Sequence, residues 1–350
     1  MLTVLESESS DNVPGNDGFR DAILSSPVRF GGRFPRSPGD FSCGSPLPMT
    51  TTPMAGFGPV QVYFGEKNGK YPDGNQVVIR GSDTLAAFDT PLVANRIGEV
   101  LAPVDLVMLS HAHEDHMAGL HRLAHAQVYV HEHDADAARS WPGLAAHYGL
   151  SPASLPAMHD KIVTEFHYVP RPDAIAYPDG HVWELGGVRI HAVHLPGHTA
   201  GHCALLVEPG GILFIGDIDL SGFGPYYGDA SSDLAAFRQS LARLAGIDAN
   251  VWVTSHHRGV YTDRARFAAA LRAYAAKLDE RNQRLLDLLR AAPRSLEELV
   301  HERLIYPPEY QEIWVVDAER RTIGLHLDEL LAQERIRQDE TGRYVVRVAS

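Results

Sequence analysis

Ten consecutive residues, Ser110-His111-Ala112-His113-Glu114-Asp115-His116-Met117-Ala118-Gly119, constrain this chain more than any others. They place three histidines and an aspartate within six positions. The apolar run 104–109, broken only by Asp105, leads into them. A run this short without a helical period reads as a buried strand. Met117 to Ala124 is expected to open a helix. The cluster then sits at a strand's carboxyl end, where open α/β sheets place their ligands. His111 and His113 share one side of an extended backbone. Asp115 and His116 follow as the chain turns and can face a second centre. Imidazoles and a carboxylate at this density suit a borderline divalent metal such as zinc. A solvated polar turn is the ordinary reading of one histidine; it does not explain four such residues at a strand end.

The 350 residues allow about two domains. A net charge of −13 argues against binding a phosphate backbone. Two cysteines, Cys43 and Cys203, give no disulfide framework and point to a reducing, cytoplasmic setting. No run of 18 apolar residues exists to span a membrane. Glu6, Glu8 and Asp11 stand where a signal peptide would be basic and then apolar.

Residues 1–54 are rich in Ser, Pro, Gly and Asp and are expected to be a disordered tail. Strand patterns at 60–64, 76–79 and 84–89 predict an antiparallel meander. A helix is expected over 91–101, a strand over 126–130 and a short helix over 134–141. Prolines at 152, 156, 170, 172 and 178 make 142–180 read as a loop-rich covering insertion. Strands are expected at 182–185, 188–194, 203–207, 212–215 and 250–254, with an amphipathic helix over 232–245. Strand ends thus carry metal-type ligands at 111–116, 198, 217 and 256. Strand-then-helix blocks occurring twice imply two sheets face to face with helices outside.

The motifs His111-Ala112-His113-Glu114-Asp115-His116, Pro196-Gly197-His198-Thr199, Gly216-Asp217 and His256, with Phe88-Asp89-Thr90 before them, resemble the metallo-β-lactamase-fold hydrolase superfamily over residues 58–262. The resemblance implies an α/β (α+β) fold, an αββα sandwich of two mixed sheets spanning 55–262. It implies two divalent ions, zinc or else iron or manganese. His111, His113 and His198 would hold the first, Asp115, His116 and His256 the second, and Asp217 both. The ions would share a water that attacks a carbonyl, with Asp115 also accepting its proton. Asp rather than Cys at 217 directs the comparison toward glyoxalase II-like thioesterases and lactonases. His257, beside His256, is the alternative last ligand.

Residues 263–350 predict helices at 264–289, 295 onward and 318–333, then a hairpin around Thr341-Gly342. This resembles the small winged-helix-like tail of some hydrolases in that superfamily. Its acidic residues argue against reading DNA, leaving a scaffold, pocket wall or homodimer contact. Tyr226 and Tyr227 are candidate pocket residues, with local loop packing the alternative. Arg258 is a candidate for a carboxylate or phosphate, with a surface ion pair the alternative. His202 reads as a support for His198 or as a plain strand residue. The expected function is hydrolysis of a small ester, thioester or lactone. The rivals are a nuclease or phosphodiesterase of the same superfamily and a non-catalytic ligand-binding module.

Overall fold

A computed structural model describes residues 52, 54–257 and 259–347. Of the expected tail over 1–54, all but residues 52 and 54 lie outside the described residues, as does Arg258; Met54 already belongs to the first strand.

The first sheet has seven strands in sequence order: β1 (Met54–Phe57), β2 (Val60–Tyr63), β3 (Gln76–Arg80), β4 (Leu85–Phe88), β5 (Leu106–Met108), β6 (Gln127–His131) and β7 (Ile175–Tyr177). β2 to β4 pair antiparallel, as the meander pattern predicts; β1, which that pattern did not include, adds antiparallel to β2, and β4 to β7 run parallel. The second sheet runs β13 (Val260–Tyr261), β12 (Val251–Val253), β11 (Ile212–Phe214), β10 (Cys203–Glu208), β9 (Arg189–His194) and β8 (Val182–Glu184). Only β11 and β12 are parallel there. Alternation along these strands sends Val60, Val62, Val77, Ile79 and Phe88 inward from one sheet to meet Ile190, Leu205, Val207, Phe214 and Val253 from the other.

A second core forms on the outer face of the first sheet, where α2 (Val93–Arg96), α3 (Gly98–Leu101), α4 (Ala135–Arg139), α5 (Trp141–Tyr148) and α6 (Leu155–Glu165) pack. On the outer face of the second sheet, α7 (Leu234–Ala245) and the first half of α8 (Arg264–Ala291) bury Phe237, Leu241, Phe267, Leu271 and Tyr274. This is an αββα sandwich. The far half of α8 joins α9 (Leu296–Glu302), α10 (Val315–Ala332) and the hairpin β14 (Ile336–Gln338)–β15 (Tyr344–Val346) in a smaller core. Ser295 and Glu298 close the capping box that starts α9. No helix among the described residues is long and apolar enough to cross a membrane.

Three local expectations differ. Met117 to Ala124 forms no α-helix; it bends through short 3₁₀ turns at Glu114–His116 and Leu120–Arg122. Gly119 there lies so close to Ala94 that an added Cβ would sit 2.8 Å from its side chain. The single helix over 91–101 is two one-turn pieces hinged at Ile97. Residues 142–180 are not a loop, because α5 and α6 occupy much of that span. Pro142 and Pro156 lie in their first turns, where a missing N–H costs no hydrogen bond. The loop Glu66–Asn75 holds α1 (Glu66–Gly69), one turn in which Lys67 and Asn68 are left-handed.

Candidate metal centre

The predicted ligands come from the carboxyl ends of four strands at one edge of the sandwich. His111 to His116 follow β5, His198 follows β9, Asp217 follows β11 and His256 follows β12. The Cys203 backbone N–H donates to the Ser110 carbonyl at 2.8 Å, tying the two sheets together beside the site. Gly197 turns the chain toward His198 at φ +130, with Phe237 packed against its backbone. No larger residue suits that turn.

The structure brings all seven side chains together. His111 Nε2, His113 Nδ1 and His198 Nε2 lie 3.1–3.2 Å from one another. Asp217 Oδ2 is 3.4 Å from His198 Nε2 and 3.9 Å from His111 Nε2. Nitrogens held by one tetrahedral zinc at the usual bond length lie about 3.3 Å apart, so this N₃O set has the right dimensions. In the second group, Asp115 Oδ2 lies 3.1 Å from His256 Nε2 and 3.8 Å from His116 Nε2. Asp217 Oδ1 faces this group, 3.0 Å from His116 Nε2 and 3.4 Å from His256 Nε2. His116 Nε2 and Asp217 Oδ1 are nevertheless buried without a hydrogen-bond partner in proper geometry. Such orphaned atoms aimed at a common point fit a cation. His257 adopts φ +55 and faces Asp219, 3.4 Å away, so His256 and not His257 joins the cluster.

The other ring nitrogens are fixed from behind, as ligating histidines require. His113 Nε2 pairs with Asp229 Oδ2 and His116 Nδ1 with Asp89 Oδ2, both at 2.8 Å. Asp89 also accepts the Ser110 backbone N–H at 2.7 Å and hydroxyl at 2.8 Å, and that hydroxyl lies 3.0 Å from His111 Nδ1. His198 Nδ1 meets the Tyr226 carbonyl at 2.9 Å. His256 Nδ1 meets the carbonyls of Gly69 and Asp73. His202 does not brace His198; its Nε2 accepts the Asp217 backbone N–H at 3.1 Å.

Before an ion binds, the two groups hold protons differently. Burial, reinforced by the neighbouring histidines, keeps His111 well below its ordinary range and neutral. Burial likewise takes His198 down to about 4 and His202 to about 3. Burial acts the same way on His113 and His256, but carboxylates outweigh it. Asp229 raises His113 to about 9, and Asp217 with Asp115 raise His256 to about 10. Asp217 stays ionised because His116 and His256 more than offset its own desolvation.

A cavity of 780 Å³ opens above the ligands. Tyr226 lines it, with its ring 5.7 Å from His198 and 6.4 Å from His113. Its hydroxyl donates to Asp229 at 3.0 Å. Tyr227 does not line it, which corrects the expectation for that residue. Adjacent residues point oppositely, and Tyr227 is buried in the helical core, where Arg281 donates to its hydroxyl at 2.7 Å. Asp229, Tyr148, Asp219 and the C-terminal Tyr306, Tyr310 and Trp314 also line the cavity and escaped sequence reasoning. Tyr148 and Tyr71 donate to buried Glu114 at 2.5 and 3.0 Å, fixing the turn between His113 and Asp115.

The chain is similar in sequence and in fold to several known proteins. A hydroxyacylglutathione hydrolase of Methylococcus capsulatus is 31% identical over 144 residues, 41% of this chain and 54% of that protein. An atrochrysone carboxyl ACP thioesterase of Pseudocercospora fijiensis is 25% identical over 64% of this chain and 56% of its own length. The chain thus spans about half the length of these curated relatives. Among solved structures, a metallo-beta-lactamase family protein of Thermus thermophilus superposes with a TM-score of 0.63 at 25% identity, covering 83% of this chain and 99% of that one. A beta-lactamase domain protein of Burkholderia ambifaria gives 0.62 at 18% identity, covering 86% and 95%, which shows the fold. The sequence profile of the Metallo-beta-lactamase superfamily matches residues 74–256, more than half of the chain and every candidate ligand described above, and the chain belongs to that superfamily.

Proposed function

We propose that this chain is a dinuclear metal-dependent hydrolase of a small ester, thioester or lactone. The observation that carries the reading is Asp217, whose two oxygens face two separate histidine groups. His111, His113 and His198 would hold one divalent ion, Asp115, His116 and His256 the other, and Asp217 both. Zinc suits the donors, with iron or manganese as substitutes. Such ions acidify water and draw charge from a carbonyl oxygen. Asp115 lies at the floor of the cavity and can receive a proton from the attacking water. The carboxylates of Asp89 and Asp229 hold His116 and His113 in place, so no reorientation accompanies the reaction. No serine or cysteine nucleophile is needed.

The relatives named as a hydroxyacylglutathione hydrolase and a carrier-protein thioesterase support the thioester within this class. The net charge of −13 favours a small substrate over RNA in a cytoplasmic setting. Residues 55–262 would form the hydrolase unit, with 263–350 a winged-helix-like unit sharing α8. A screen of thioesters, lactones, phosphodiesters and RNA with metal-loaded protein tests the reading. Asp217→Ala should abolish activity and lower metal content; a fully active, metal-replete variant refutes it.

A further inference from the structure

The cavity wall away from the ligands is aromatic and belongs largely to the segment between α9 and α10. Glu319 of α10, fully buried, accepts the backbone N–H groups of Leu304, Ile305 and Tyr306 at 2.8, 2.9 and 2.7 Å. The segment is therefore fastened through its backbone, which leaves its rings to form the wall. Tyr306 and Tyr310 stack with centroids 5.4 Å and planes 8° apart. Phe223, six residues beyond Asp217, brings its ring to 5.5 Å from Tyr306. Tyr226 packs against the small cluster that contains Tyr306 and also lies beside His198 and His113, so aromatic surface extends from the candidate ligands outward. Phe223 and Tyr310 remain 42% and 37% exposed. Large rings exposed in a cavity wall are apolar surface that a bound molecule would cover.

Resting on the ester or thioester reading above, we propose that Phe223, Tyr306 and Tyr310 form an acyl-binding shelf that selects planar aromatic acyl groups. The acyl ring stacks on the shelf while its carbonyl reaches the ligand cluster past Tyr226. A short aliphatic acyl group leaves the shelf untouched. Each ring contact contributes about two- to tenfold in affinity. Tyr306 and Tyr310 act from the C-terminal segment, which makes that segment the specificity element of the site.

The test titrates naphthalene-2-carboxylate and acetate into the zinc-loaded full chain by calorimetry, then repeats both with Phe223→Ala and Tyr310→Ala. The same proteins are assayed on 2-naphthoyl and acetyl thioesters of one thiol. We expect naphthoate to bind about tenfold or more tightly than acetate. Each variant should weaken naphthoate about two- to tenfold without moving acetate. KM for the naphthoyl thioester should rise in both variants, with its kcat and both acetyl constants unchanged. Equal binding of the two carboxylates by the parent chain overturns the shelf, as does naphthoate affinity unchanged in both variants. Naphthoate binding as expected with no thioester cleaved upholds the shelf and removes the thioester reading instead.

Discussion

Replacing Asp229 by asparagine should weaken the first metal group at high pH and leave it nearly unchanged at neutral pH. The amide keeps the shape of the site. Its oxygen can still face His113 Nε2, and the Tyr226 hydroxyl can turn to accept from its nitrogen. What is lost is the negative charge 2.8 Å from the imidazole. Two effects follow with opposite signs. Without the carboxylate, His113 is a weaker ligand, a loss of about 10–100-fold in affinity at comparable sites. Yet Asp229 is also the main reason His113 is raised to about 9 against the pull of burial. At pH 7 a proton bound with a pKa of about 9 must be displaced first, which costs about 100-fold. Removing the charge lowers that barrier, so near pH 7 the two effects roughly cancel. At pH 9.5 most of the proton is already gone, and the full 10–100-fold loss should show. Competition against a chromophoric chelator at the two pH values measures this, stepwise for the two ions. A loss of equal size at both pH values, or a loss shared equally by the Asp115–His116–His256 group, would refute the reasoning.

Metal uptake at neutral pH should release about two or more protons per chain, since His113 at about 9 and His256 at about 10 must give theirs up; calorimetry in buffers of different ionisation enthalpy counts them, and zero release contradicts the electrostatics described. Both histidines are raised above the unfolded value of about 6.5. They therefore stabilise the chelated protein fully below that pH and cease to do so as pH climbs through about 9 and 10. The gap in Tm between metal-loaded and chelated protein should widen from pH 7 to 10. Gly197→Ala places a Cβ 2.3 Å from the Phe237 Cα at a φ of +130, so it should cost about 3 kcal/mol or more and strip the first metal; unchanged Tm and metal content would contradict this. Glu319→Ala leaves three backbone N–H groups without their acceptor and should cost several kcal/mol, about 1–3 for each that stays buried, read by urea unfolding.

The candidate ligands were legible because each stands in a short motif at the end of an apolar run, and strand ends on one edge of a sandwich must converge. The supports behind them were not. Asp229 and Glu319 are single acidic residues in unremarkable stretches, and only tertiary folding shows that one braces His113 while the other holds Tyr306. Tyr226 and Tyr227 were indistinguishable by composition; the direction of one peptide decides which faces the cavity. Pro156 misled because proline marks a helix's first turn as readily as a loop.

The cluster draws His111, His113, Asp115 and His116 from one sheet and His198, Asp217 and His256 from the other. Cations held there would rivet the two layers at one edge, joining positions up to 145 residues apart in sequence. Neither half of the polypeptide can bind them in full until both layers have docked. Resistance to a chelator during refolding would therefore report the moment at which the layers meet, with the clustered side chains serving as the clock.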